Sequence, residues 1–233
     1  DLKSKRGACR NKTCLFPEVC GHLHVNHRLQ IELLKSLQRL EGVRKVFVGS
    51  GLRHDLIVAD KKTGIEYLEN LVSNHVSGQL KIAPEHVEET VLNLMGKPGR
   101  SVLESFIGMF ERTRQKKKAK AFLTYYLMAA HPGCTQADME NLQRFASRVL
   151  RISPEQIQIF TPTPSTFSTL MYYTEKDPFT GRNILVEKRT GEKEKQKNAV
   201  GRKRKSMTRP PGPRPKNVCV RKRTGRRNKK QHS

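Results

Sequence analysis

Residues 121–135 read AFLTYYLMAAHPGCT. A run of apolar and strand-favouring residues ends in a Pro–Gly turn, and Thr135 stands where a helix opens. Asp138, three residues on, occupies the place of the acidic partner in a capping box. The stretch therefore predicts a strand, a tight turn and a helix. Three more apolar runs repeat the pattern: KVFV (45–48) before SGLRHD, QLKI (79–82) before APEH, and QIQIF (156–160) before TPTPST. Segments of helical period separate them, over 28–40, 65–72, 87–95, 103–114 and 135–150. Alternation of this kind is that of a parallel βα protein. It predicts four parallel strands in chain order, joined by right-handed crossovers. Their polar carboxyl ends, with Arg53, Glu85, His131 and Thr163, should share one rim, where such folds build their sites. Four βα units are too few to close an eight-stranded barrel and suit part of a smaller barrel or an open sheet.

Charge divides the 233-residue chain. Residues 188–233 hold 19 basic and 2 acidic side chains, against 27 and 19 in residues 1–187. The basic end, with GRKRK, RPPGPRP and RKRTGRR, has few apolar residues to offset chain entropy, so disorder is expected there. The expected organisation is a Cys/His-rich irregular segment (1–27), a globular βα part (28–187) and a basic tail (188–233). No stretch has the length and apolarity of a transmembrane helix, and no signal peptide opens the chain, which points to a cytoplasmic protein without a membrane partner. The start at Asp1 in a basic segment suits an internal or truncated beginning.

The polar clusters carry the candidate chemistry. HPGCT (131–135) lets the backbone approach a ligand at a helix N-terminus, and serves equally as a plain turn. TPTPST (161–166) presents hydroxyls and carbonyls beside two prolines, to line a cofactor or simply to end a strand. Lys81 and Glu85 suit a ribose, an amine or a surface ion pair. Arg53 and Asp55 suit a carboxylate or phosphate contact, or a structural ion pair. Tyr125 and Tyr126 point to opposite strand faces, one into the core and one towards a barrel interior.

Cys9, Cys14 and Cys20 form C-x4-C-x5-C, looser than the CxxC pairs of zinc sites. Crowded thiols and imidazoles (His22, His24, His27) fit an auxiliary metal site; ordinary reduced thiols are the simpler reading. Cys134 and Cys219 read as ordinary thiols. The Lys and Arg clustered in the tail fit non-specific contact with RNA or DNA, and also a basic nucleic-acid- or ribosome-binding protein, although no RNA- or DNA-binding motif appears.

A set of motifs in order gives the chain a family likeness: CLFPEVCGHLHVNH, GVRKVFVGSGLRHDL, NHVSGQLKIAPEH, VLNLMGKP, YYLMAAHPGCT, EQIQIFTPTPSTFSTLMYYTEKDPFTG and GEKEKQKNAV. It resembles the YgiQ family of radical S-adenosylmethionine (SAM) proteins from about Cys9 to Val200. The resemblance implies an α/β fold, a partial (βα)6 TIM-like radical SAM barrel lacking its first two strands in this chain. It also implies a 4Fe–4S cluster, SAM, an electron donor such as flavodoxin or ferredoxin, and a substrate it does not identify. The family's CxxxCxxC cluster ligands are absent here, so the chain alone is expected not to assemble the cluster. Lys81, Glu85, His131, Gly133, Thr135, Thr163 and Thr166 fall on the SAM-binding side; Arg53, Asp55 and Tyr126 are candidates for substrate contact. Cys134 stands where Ser is expected, and His22 and Asn26 where Asn and Asp are.

Overall fold

The computed structural model describes residues 7, 9, 13–151 and 157–201. Helix α1 spans Arg28–Gln38, α2 His54–Ala59 and α3 Gly64–Asn70, the last prolonged by a π-helical turn over Leu71–His75. Strand β1 (Gln79–Glu85) is followed by α4 (Glu89–Met95) and α5 (Arg100–Lys116). Strand β2 (Phe122–Ala129) leads into α6 (Gln136–Phe145), which also ends in a π-helical turn, and then into β3 (Ile157–Ile159). Helices α7 (Phe167–Thr174) and α8 (Thr190–Gly201) complete the described part. The sheet is open, three-stranded and parallel, in the order β1-β2-β3. The architecture is thus mixed α/β.

Residues in register share a face of the sheet. One face presents Leu80, Ile82, Tyr125, Leu127, Ala129 and Ile157, all buried in a single core with Leu103, Phe106 and Phe110 of α5 and Met139, Leu142 and Phe145 of α6. The other face presents Lys81, Thr124, Tyr126 and Met128, half-buried, and Gln158, exposed. The two tyrosines divide between the faces as their alternation predicts.

Local signals explain the helix ends. Thr135 caps α6 in a complete capping box with Asp138. Gly96, in the left-handed region (φ 62°), stops α4 within the GKPG cluster. Helix α3 begins against the carbonyl of Ile57, so close that a Cβ on Gly64 would lie 2.3 Å from that oxygen.

Two expectations are corrected. Residues 45–48 form no strand. The Val48 N–H donates to His75 O (2.9 Å), ahead of β1, and only farther on does Leu52 make one isolated parallel bridge to Ile82. Lys45 and Phe47 are exposed and the following Gly-Ser-Gly has no apolar side chain to pack, so the edge gains too little burial to extend the ladder. The compact part also continues past residue 188. Helix α8 packs on α6, β2 and β3 with Gln196 and Val200 buried. Residues 202–233, where disorder is expected, lie outside the described residues.

Candidate functional site

Three strands and the Leu52 bridge bring Arg53, Glu85, His131 and Thr163 to the carboxyl edge of the sheet. Three non-glycine residues there adopt left-handed backbone: Glu85 (φ 67°), Ala130 (φ 57°) and Ser165 (φ 62°). Lys118, Arg151 and Glu175 share that conformation but each ends a helix or its π turn, a common stop. After a strand it costs of order 1–2 kcal/mol and concentrates at ligand sites.

Glu85 follows an irregularity in the β1 register and meets Lys97 Nζ at 3.5 Å. Burial raises its carboxyl above the ordinary value, with the Lys97 ammonium opposing. Lys81 stands mid-strand, opposite Thr124 on the half-buried face; its carbonyl accepts from Leu52 N–H (2.8 Å), and its ammonium has no hydrogen-bond partner among the described residues. Tyr126 lies on the same face, one strand across.

Arg53 and Asp55 form a forked ion pair: Nε donates to Oδ1 at 2.9 Å and a second guanidinium nitrogen donates to Oδ2. Burial pushes the Asp55 carboxyl up, but the Arg53 hydrogen bonds and charge bring it below its ordinary value. The Asp55 side chain is 2% exposed and that of Arg53 49%, so the guanidinium keeps a free flank. His54 between them packs on Phe106, and burial lowers its pKa to about 4.

At the HPGCT turn the expected free amides are occupied. Gly133 N–H donates to Leu185 O (2.7 Å), Cys134 N–H to His131 O (2.9 Å), and Thr135 N–H to Asp138 Oδ2 (2.8 Å). An anion finds no vacant amide cradle in that triplet. Gly133 itself is required, because at φ +85° an added Cβ would meet Leu94 Cδ1 at 2.2 Å. Gln196 of α8 stitches the turn shut: its Oε1 accepts from Ala130 N–H (3.0 Å) and its Nε2 donates to Cys134 O (3.3 Å). The charged text around Gln196 masked this role in the sequence.

His131 is held by two partners. Nδ1 lies 2.8 Å from Pro132 O, which only accepts, so Nδ1 carries the proton and Nε2 accepts from Ser168 Oγ at 2.8 Å. Burial lowers its pKa to about 4, leaving a neutral ring at pH 7. Ser168 was not a candidate from sequence; only its place near the TPTPST cluster pointed that way. Cys134 lies 3.7 Å from His86 Nε2. His86 Nδ1 accepts from Glu88 N–H (3.0 Å), so Nε2 is the protonated nitrogen and does not act as a base on the thiol. Burial pushes the Cys134 thiol up to about 12, and it is a packed, unreactive group.

The threonine cluster serves local structure. Thr166 caps α7 by accepting from Thr169 N–H (3.2 Å), and Thr169 Oγ1 both accepts from Thr163 N–H (2.8 Å) and donates to Thr163 O (2.6 Å). Thr135 is likewise consumed in its cap.

The Cys-rich segment brings no metal set together. Among the described residues no group of three His, Cys, Asp or Glu side chains converges to hold a metal. Cys9, Cys14 and Cys20 are free thiols, with Cys20 N–H donating to Cys14 O (2.8 Å). His27 is committed elsewhere: it stacks on Tyr67 and donates through Nδ1 to Asp60 Oδ2 at 2.8 Å.

No protein-family model matches the chain. It is 54% identical over 204 residues to a UPF0313 protein of Fusobacterium nucleatum, covering 88% of this chain and 36% of that protein. A UPF0313 protein of Methanosarcina acetivorans is 46% identical over 193 residues, covering 83% and 25%. One from Clostridium botulinum is 40% identical over 199 residues, covering 85% and 31%. The chain therefore spans between a quarter and about a third of the length of these relatives. The stretch that matches, most of the chain, is UPF0313-family sequence.

Proposed function

We propose that this UPF0313 (YgiQ-family) stretch is the later part of a radical SAM enzyme, and that its carboxyl edge holds the amino-acid end of SAM. The observation that carries the reading is the coincidence of three strand ends with left-handed non-glycine residues, at the end of β1 (Glu85), just after β2 (Ala130) and in the turn beyond β3 (Ser165), beside a half-buried sheet face that bears polar side chains. Parallel sheets are normally covered on both faces. A face bearing Lys81, Thr124 and Tyr126 suits the interior of a partial (βα) barrel that further strands of the longer protein would complete.

The residues present fit the two groups unequally. Lys81 has unused donors and Glu85 sits part-buried beside Lys97, a set that matches a zwitterionic carboxylate and ammonium. The hydroxyls of Thr135 and Thr166 are spent on caps, so these residues shape the edge rather than bind. For the 4Fe–4S cluster the fit fails: the chain has no CxxxCxxC, and no metal-holding group occurs among the described residues. In a radical SAM protein these two groups supply a carbon radical; this chain's residues bind, orient and exclude water.

Calorimetric titration of the chain with SAM tests the reading. Saturable binding is expected, and losing one charged hydrogen bond in Lys81→Ala or Glu85→Gln should weaken it about tenfold or more. No binding, or binding indifferent to both substitutions, would sink the proposal.

A further inference from the structure

The opposite edge of the sheet has a chemistry of its own. Each helix after a strand runs back to the amino edge, so α5 and the π turn after α6 end there, beside the entrances to β2 and β3. Residues 44 and 45 approach the same edge, because Val48 is already level with His75. Helix ends attract cations, and Glu69 accounts for Lys116 (2.6 Å) and Lys117 (3.0 Å). Arg44, Lys45, Lys118, Lys120 and Arg151 remain, all exposed and none in a salt bridge among the described residues. Beside Lys118 and Lys120, Phe122 opens β2 as a residue 57% exposed, its N–H bonded to Gly78 O at 2.9 Å. A large apolar ring in that setting leaves more than half of its surface to solvent.

We propose that this amino edge docks single-stranded nucleic acid, with the five cations on backbone phosphates and Phe122 as a stacking platform for a base. Positive charge that tracks a backbone and an aromatic face that takes any base are the two parts such surfaces combine. An anionic membrane asks instead for an amphipathic helix lying in the interface. The described elements at this edge are helix ends and strand entrances. The inference is independent of what the carboxyl edge binds.

The test is fluorescence anisotropy of a labelled oligouridylate with the whole 233-residue chain across a salt series, the basic C-terminal residues being present in every variant. Each phosphate contact on a single strand contributes about 0.7 to the salt slope, so Lys118→Gln/Lys120→Gln should lower it by roughly 1.4. Arg28→Gln/Lys35→Gln on α1 removes the same charge and should leave the slope unchanged. Phe122→Ala should weaken oligouridylate binding about fivefold or more while leaving inorganic polyphosphate binding unchanged. All these side chains are exposed, and circular dichroism melts verify folding. Equal slopes for wild type and the Lys118/Lys120 variant would overturn the proposal. So would equal losses in the α1 control, or no loss with Phe122→Ala. Tighter binding to phosphatidylserine vesicles, released by the same substitutions, would assign the edge to membranes and also refute it.

Discussion

Asp60→Ala should lower the melting temperature by about 10 °C or more, a loss of about 3–5 kcal/mol. Asp60 is buried between α2 and α3, and its carboxylate takes hydrogen bonds from distant and local donors alike. Oδ2 accepts from His27 N–H (2.9 Å), His27 Nδ1–H (2.8 Å) and the Thr63 hydroxyl; Oδ1 accepts from Lys62 N–H (3.1 Å) and Thr63 N–H (2.8 Å). Alanine leaves His27 Nδ1–H and Thr63 N–H without an acceptor, while His27 N–H keeps only Thr63 Oγ1 (3.0 Å). Burial pushes this carboxyl up, but the hydrogen bonds from Thr63 and His27 outweigh it and hold it well below the usual 3.8. A depressed folded value gives stability that is complete above the unfolded value and lost as pH falls through the folded one. Wild type and variant should therefore differ most at neutral pH and converge in acid below about pH 4. A thermal melt of Asp60→Ala within a degree or two of wild type at pH 7 would show that the junction is not structural.

Gln196→Ala should be the second large effect, at roughly 2–5 kcal/mol, since two buried main-chain groups lose their partners. Ala130 N–H and Cys134 O flank the turn at the head of β2, and both depend on this one side chain. Truncation gives the matching result. Ending the chain after residue 201 should leave the cooperative unfolding transition in place, whereas ending it after residue 188 should abolish it or shift it far down. Equal melts for the two truncations would mean that α8 is an appendage.

These two junctions also show what the sequence conceals. The Thr135–Asp138 cap, the Gly96 stop and the alternation of Tyr125 and Tyr126 are legible because each is decided within a few residues of chain. The His27–Asp60 pair spans 33 residues and the Gln196–Ala130 bond 66, and neither separation leaves a local mark. His27 reads as a spare metal ligand beside three cysteines, until Asp60 is seen to hold it. HPGCT reads as an amide cradle, until Leu185, His131 and Asp138 are found accepting its hydrogens. KVFV reads as a strand by composition, but a strand needs a neighbour that extends the ladder and a cover over its faces, and both are tertiary. The carboxyl edge itself follows from the βα rhythm; which of its groups remain free for a ligand does not.

Photo-crosslinking with 8-azido-SAM, followed by peptide mapping, tests the central proposal most directly, because it reports where on the sheet the ligand lies. Because the azide is carried on the adenine ring, the account predicts labelling at the carboxyl edge around residues 161–169, away from the Lys81–Glu85 end, competed by unlabelled SAM. Labelling confined to the amino edge around residues 116–122, or labelling that unlabelled SAM does not displace, would contradict it.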